Sequence, residues 1–507
     1  MTKVKNPKLQ NPIEKQFNII SRYHYYFYFL IFSSKIPIFW HVLSLIFLSP
    51  PMDYYCNETD VATVNLTKNV CPCVEPFWDR SVFTETMQTK YGIYCDRTWL
   101  ISFAQSMMYV GLLIGALVFG FLSDRYGRLS MFTMSCLVLG VSGSLVSAMP
   151  SAAAHILIRS IEGIGTGGAI ITSYVLCIEY SGVRYREIVT ALFHIPLNIG
   201  HLTLPGISYL LRHCDEFQLA ISIPVFFYVG MRWMVMESPK WLMDNENIDE
   251  TVVAMEKFAS FTRIPKENIR QQIEEYHAIH STKSQREIKI WHLFYHKTLI
   301  SNFIYMSVIY FLCGMGYYGV SQYIGQMSGN IHVNVALSGA LLVPGTIASI
   351  YLIQLLNRRT FLMSTIFLSG VFMIVTICIP LRYNWIRVFI ACICNCFFFV
   401  SFIIVFLLGV ELFPTSIRNS VLGILSVMSR VGQIVAPLIN ALPENISGVV
   451  FGVLALVGTF FCYLLPETKD IELPSSLDDT KVLSRRKSHL VEDLELNQNI
   501  ATSSSQQ

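Results

Sequence analysis

The chain has 507 residues, of which 53% are hydrophobic and only 14% charged, and its mean hydropathy is +0.48. A soluble globular protein of this length needs far more charge to cover its surface. The formal charge of +3 decides little, because the distribution of charge matters more than its sum.

The first 26 residues are basic (Lys3, Lys5, Lys8, Lys15, Arg22) and lack a small-residue cleavage site. Residues 1–24 therefore read as a cytoplasmic tail and not a signal peptide. Twelve apolar runs follow, at 25–49, 99–122, 130–149, 153–177, 188–211, 217–236, 295–318, 331–356, 361–381, 385–410, 418–440 and 446–466. Each approaches the roughly 20 residues that a spanning helix needs, so the chain reads as a multi-pass membrane protein embedded in a lipid bilayer. An even number of spans puts both termini on one side. Short basic segments at Arg125 and Arg128, Arg184 and Arg186, and Arg358 and Arg359 share that side with the N-terminus, which makes it the cytosol by the positive-inside rule.

The loop at 50–98 then faces outward. It carries Cys56, Cys71, Cys73 and Cys95, an even set suited to disulfides in an oxidising compartment, with three possible pairings. It also holds two glycosylation sequons, at Asn57 and Asn65; a third, at Asn445, lies too near a span to count. Residues 237–294 are polar, with helical periodicity at 248–260, and link an N-terminal bundle (25–236) to a C-terminal one (295–466) on the cytosolic side. The tail, 467–507, is charged and then Ser- and Gln-rich, a composition that favours disorder. Its Arg485-Arg-Lys-Ser488 run reads as solvated charge.

The two halves echo each other. Glu179 and Arg186 recur as Glu411 and Arg418, both at an offset of 232. The SerAspArgTyrGlyArg run at 123–128 has a weaker partner in AsnArgArg at 357–359, an offset of 233 from Asp124 to Asn357. GluSerProLys at 237–240 answers GluThrLys at 467–469, at 230. Three echoes in register imply an all-α protein of two pseudo-symmetric six-helix bundles. Related bundles of this kind suit alternating access. Asp124, Arg128, Glu179, Arg186, Glu411 and Arg418 are expected to form structural gates, whereas Arg184 and Arg359 read as charges that fix topology.

GlyPheLeuSerAspArgTyrGlyArg at 120–128 resembles the loop motif of the major facilitator superfamily. GluSerProLysTrpLeu at 237–242 and ProGluThrLys at 466–469 are similar to both sugar porters and organic ion transporters. Three further stretches resemble the organic cation, organic anion and carnitine transporter family: the first outer loop ending at 78–99, MetGlyTyrTyrGly at 315–319, and GluLeuPheProThrSerIleArgAsn at 411–419. The resemblance runs from about residue 50 to 475. It implies the major facilitator fold, a midplane substrate site, and transport of amphiphilic organic ions across the plasma membrane.

Four charged residues lie well inside spans: Lys35, Arg159, Glu162 and Arg430. Each costs about 2.5–3.5 kcal/mol on insertion scales, so each should face protein or water. Arg159 and Glu162, three apart, are expected to pair, with Gly163, Gly165, Gly167 and Gly168 beside them permitting close helix contact. Lys35 and Arg430 have no acidic residue within one turn of their own helices, and Pro37 can interrupt the helix beside Lys35. A cargo carboxylate, which arginine holds bidentately, is the simplest counterion for them; a distant partner within the protein, Glu162 or a helix C-terminus, is the alternative.

In the resembled family the position of Arg430 is acidic in cation transporters and basic in anion and carnitine transporters. Thr346 stands where anion transporters have lysine, and Leu342 where the cation and carnitine branches have glutamate. AsnArgArg at 357–359 and GlyAsnIleHisValAsn at 329–334 are nearest the carnitine-like branch. The fifth span sets His194, Asn198 and His201 on one polar face, for cargo or for hydrogen bonds between helices. Tyr310, Phe311, Tyr317 and Tyr318 supply aromatic surface, of which Tyr310 and Tyr318 are expected to touch cargo by resemblance.

These readings point to a secondary transporter of carboxylate-bearing anions or carnitine-like zwitterions. The alternatives are an organic cation transporter or a receptor that keeps the fold without transport. The chain lacks a phosphate-cradling G-x-x-x-x-G-K-[ST] motif, metal-ligand spacing and a nucleophile elbow. No enzyme activity, cofactor or nucleic-acid partner is therefore expected, and the coupling ion, sodium or proton, is open.

Overall fold

The computed structural model describes residues 12–57, 66–71, 73, 76–182, 185–262, 268–280 and 297–469. These contain twelve helices long and apolar enough to cross a membrane. Spans 1 to 6 are Arg22–Leu43, Trp99–Tyr126, Arg128–Ser147, Ala152–Glu179, Ile195–Leu210 (preceded by a short helix, Arg186–Leu192) and Cys214–Val229. Spans 7 to 12 are Lys297–Gln326, Ile331–Leu355, Arg358–Cys378, Asn384–Leu412, Thr415–Asn440 and Glu444–Leu464.

Two boundaries differ from expectation for local reasons. Span 1 begins early because Ser21 caps it: the Ser21 hydroxyl accepts from the His24 N–H, and the Ser21 N–H donates to His24 Nδ1 at 3.1 Å. It ends at Leu43, and Leu45–Leu48 forms a separate turn. Span 7 runs eight residues past its expected end at 318 because its polar residues are satisfied. Ser321 donates to the Tyr317 carbonyl at 2.8 Å, and Gln322 accepts from Asn440 Nδ2 at 3.3 Å.

The chain forms two compact units, residues 1–285 with 325–343, and residues 286–324 with 344–507. The polar segment 237–294, expected to link the two bundles, falls mostly in the first unit, whose first stretch ends at residue 285.

In the first unit, span 4 packs closely on spans 2 and 3 through its glycines. Gly163 and Gly167 sit against the Met108 and Leu112 carbonyls, and Gly165 against the Leu139 backbone. A side chain at any of these would collide with main chain. The same device recurs in the second unit, where Gly314 meets the Ser429 carbonyl and Gly432 the Phe311 carbonyl.

Polarity in each unit is distributed as lipid solvent demands. Arg159, Glu162 and His201 are fully buried in the first unit, while Phe29, Phe121 and Leu210 are exposed. In the second, Gln433 and Asn395 are buried while Phe460 and Tyr463 are exposed.

The loop after span 1 folds into a small antiparallel sheet of order β2-β1-β3, from β1 (Tyr54–Asn57), β2 (Leu66–Lys68) and β3 (Pro76–Trp78). Tyr55 lies between Lys68 and Phe77. Disulfides join Cys56 to Cys73 and Cys71 to Cys95, selecting one of the three open pairings. Asn57 ends β1; Asn65, Arg184 and the tail beyond 469 lie outside the described residues.

After span 6, short helices Pro239–Asp244, Ile248–Thr262 and Ile269–His280 follow. Phe258 from this segment packs edge-on against Phe17 and Tyr23, so the segment before span 1 and the central segment share one apolar cluster.

Candidate functional site

Arg430 lies on span 11 of the second unit. It is half-buried, its NH1 donates to Gln433 Oε1 at 3.0 Å, and it hydrogen-bonds Tyr318 of span 7. Gln433 is one turn along the same helix, so it orients the guanidinium from below while Tyr318 reaches it from the neighbouring span. The contact of Gly314 with Ser429 and of Gly432 with Phe311 is what brings these two helices together.

Around Tyr318 is an aromatic wall. Tyr317 packs edge-on to it at 4.8 Å, and the Phe402 ring lies 6.4 Å away. Phe402 stacks edge-on with Phe406 at 5.1 Å, and Phe406 with Tyr310 at 5.1 Å. The sequence pointed to the tyrosines of span 7. It did not point to Phe402 and Phe406, which are indistinguishable in the sequence from the packing residues of span 10.

In the first unit, Lys35 is fully buried. Its ammonium donates to the Ile170 carbonyl at 3.1 Å and sits 4.0 Å from the Phe193 ring centroid. His194, the next residue after Phe193, is half-buried. Lys35 thus has partners in span 4 and in the turn just before span 5 that its own helix did not reveal. Asn198 is buried and donates from Nδ2 to the Leu342 carbonyl at 3.3 Å, a hydrogen bond between helices. His201, on the same face, is buried, and neither ring nitrogen is hydrogen-bonded among the described residues.

Arg159 and Glu162 pair at 3.4 Å, as their spacing predicts. The pair is part of a larger network. Glu162 also meets His41 Nδ1 at 2.6 Å and Gln218 Nε2 at 3.2 Å, and Arg159 donates to Ser44 at 2.9 Å. His41 and Gln218, on spans 1 and 6, were missed. The available signal was their polarity inside apolar helices.

The repeated charges have a specific wiring. Arg128 bridges Asp124 and Glu179, the latter at 2.9 Å. In the second unit Arg358 contacts Glu411 at 3.3 Å, and the Thr468 hydroxyl donates to Glu411 at 2.6 Å. The counterpart of Arg128 is therefore Arg358, at an offset of 230, and the echo drawn from Asp124 to Asn357 at 233 is corrected. Nor do Arg186 and Arg418 pair with the glutamates seven residues before them. Arg186 contacts Glu14 at 3.3 Å, which Lys240 also reaches at 3.4 Å. Arg418 donates to the Phe413 carbonyl at 3.0 Å. Arg359, read only as a topology charge, donates to the Leu465 carbonyl at 3.1 Å.

Glu237 and Glu467 complete the pattern. Glu237 accepts from the Leu129 and Ser130 N–H groups at 2.9 and 3.2 Å, and Glu467 from the Arg358 and Arg359 N–H groups at 2.8 and 3.2 Å. Each carboxylate caps the positive end of a span with unsatisfied amides.

Twelve spans, a duplicated charge circuit at the helix ends and charged side chains inside the membrane define a transporter of the major facilitator class. The profile of the family described as "Sugar (and other) transporter" matches residues 67–475, and the chain belongs to that family. It is a multi-pass membrane transporter, not an enzyme.

Among curated relatives, the chain is 28% identical over 411 residues to "Solute carrier family 22 member 3" of Mus musculus, covering 80% of this chain and 73% of that one. It is 28% identical over 437 residues to the "Organic cation transporter protein" of Drosophila melanogaster, with 84% and 79% covered. It is also 28% identical over 450 residues to "Organic anion transporter 3" of Pongo abelii, with 87% and 81% covered. The inward-open structure of the xylose transporter XylE from E. coli shares the fold, with a TM-score of 0.65 at 15% identity over 91% of this chain and all of that one.

Proposed function

We propose that this chain carries small carboxylate-bearing organic ions, anions or carnitine-like zwitterions, across the plasma membrane by alternating access, with both termini in the cytosol. The observation that carries the reading is Arg430, oriented by Gln433 and Tyr318. A guanidinium fixed in direction offers two parallel N–H donors to a carboxylate, a geometry an ammonium cannot reproduce.

The aromatic wall from Tyr318 through Phe402 and Phe406 to Tyr310 supports the zwitterionic half of the proposal, since ring faces attract ammonium groups. Lys35, His194 and Asn198 are proposed as cargo contacts in the first unit. The names of the relatives, which span organic cations and organic anions, support organic ions as the cargo class. The disulfide-bonded loop and the sequons at Asn57 and Asn65 support an outward position for residues 50–98.

A cation transporter is the second reading, favoured by the aromatic wall taken alone. Uptake of labelled carboxylates, zwitterions and simple quaternary amines into proteoliposomes separates the two. The proposal expects the first two to be transported and to compete with one another. Uptake of quaternary amines alone overturns it.

A further inference from the structure

Residues 84–85, in the loop that carries the disulfides, are stitched to the chain entering span 6. The Thr84 N–H donates to the Arg212 carbonyl at 3.0 Å, and the Cys214 N–H to the Glu85 carbonyl at 3.0 Å. This parallel bridge between Glu85 and His213 brings together four different metal-ligating side chains. Glu85, His213, Cys214 and Asp215 each place one ligand atom within 4.8 Å of all the others. His213 Nε2 is 2.8 Å from Glu85 Oε2, and Cys214 Sγ is 3.7 Å from Asp215 Oδ1.

We propose that these four residues form a binding site for a zinc-class divalent ion. Tetrahedral zinc, with ligands at about 2.0–2.3 Å, sets its donors roughly 3.3–3.8 Å apart. The cluster is thus within a side-chain adjustment of that geometry, and its backbone is already tied in place. One imidazole, one thiol and two carboxylates suit zinc and its neighbours. They do not suit calcium or magnesium, which prefer oxygen alone.

Access fits as well. The side chains of Glu85, His213 and Asp215 are about a third exposed (31%, 35% and 31%), while Cys214 lies beneath them. Cys214 is also a free thiol in a region whose other four cysteines are paired.

Two features set the affinity. Lys90 holds Asp215 through both carboxylate oxygens, at 2.8 and 2.7 Å, and donates to the Ser147 carbonyl at 2.9 Å. Its ammonium therefore competes with a metal for Asp215. The Asp215 N–H also makes a long bond to His213 Nδ1, at 3.4 Å. Metal on Nε2 shifts the ring proton to Nδ1 and gives up that bond. Binding displaces the Cys214 thiol proton to solvent, and the bound ion joins the disulfide-bearing loop to span 6.

The test is titration of the full-length protein in detergent with Co²⁺ as a spectroscopic substitute for zinc. Zn²⁺ protection of Cys214 from a membrane-impermeant maleimide and a Zn²⁺-dependent rise in melting temperature serve as second readouts. The expected result is a thiolate-to-cobalt absorption band that Cys214→Ser removes. His213→Ala and the near-isosteric Glu85→Gln should weaken binding at least tenfold, and Lys90→Met should tighten it several-fold. Glu85→Gln keeps the test decisive if Cys214→Ser does not fold. A cobalt complex without a sulfur band, or equal affinity in wild type and Glu85→Gln, overturns the proposal.

Discussion

Arg128 Nε lies 2.9 Å from Glu179 Oε1 and joins the start of span 3 to the end of span 4. Arg358 and Glu411 repeat the contact at 3.3 Å between spans 9 and 10. In both cases a glutamate 109 residues beyond the arginine, Glu237 or Glu467, caps the same helix start. The two halves thus share a circuit as well as a fold, and each copy ties the start of one span and the end of the next to the segment that follows the last span of its bundle.

Both side chains of the Arg128–Glu179 pair are mostly buried, at 15% and 16% exposed. Losing a charged hydrogen bond there costs about 1.5–3 kcal/mol. Glu179→Gln is expected to lower the melting temperature and reduce uptake, and Glu411→Gln to do the same through Arg358. A thermal scan of the purified variants checks both. Unchanged stability in both would mean the circuit is decorative.

The Arg159–Glu162–His41 network makes a sharper prediction. Glu162→Gln leaves a fully buried guanidinium without its counterion, and breaking such a pair costs about 3–5 kcal/mol. The double variant Arg159→Met/Glu162→Gln removes the stranded charge and is expected to recover much of that loss. A double-mutant cycle on thermal stability gives the coupling. Simple additivity would show that the two groups do not depend on each other.

Span 4 tolerates no bulk where it meets span 2. Gly167 sits against the Leu112 carbonyl, and backbone cannot yield as a flexible side chain can. Gly167→Leu is expected to cost at least the roughly 1–3 kcal/mol typical of overpacking, read as loss of monodisperse protein on size exclusion. Gly423, with open space around it, is the control. Gly423→Ala should stay monodisperse.

How much of this was legible in the sequence depended on how local each signal was. Spans show themselves because some 20 consecutive residues share one solvent, and Arg159 with Glu162 because one helix turn brings them together. His41 and Gln218 complete that network from spans 1 and 6, separated from Glu162 by 121 and 56 residues, and no local pattern announces such partners. The echo of Arg128 is hard to place in the sequence because AsnArgArg carries no acidic residue to fix its register against Asp124. The four cysteines gave their number but not their pairing, because a three-stranded sheet of short strands decides which thiols meet.

That sheet gives a direct chemical check. Peptide mapping without reduction should recover Cys56 linked to Cys73 and Cys71 linked to Cys95. If the loop faces outward, Asn57→Gln and Asn65→Gln should each lower the apparent mass of protein made in a glycosylating cell. A Cys56–Cys71 peptide would contradict the fold of the loop.

The most direct measurement of the cargo proposal is proteoliposome uptake by wild type, Arg430→Lys and Arg430→Asp, screened with labelled monocarboxylates, carnitine-like zwitterions and quaternary amines. Arg430→Lys should keep charge but lose the bidentate grip, with a raised KM for carboxylates. Arg430→Asp should abolish carboxylate uptake while the protein remains folded, and any gain should be in cations. Carboxylate uptake that survives Arg430→Asp unchanged would remove this arginine from the cargo site and the carboxylate assignment with it.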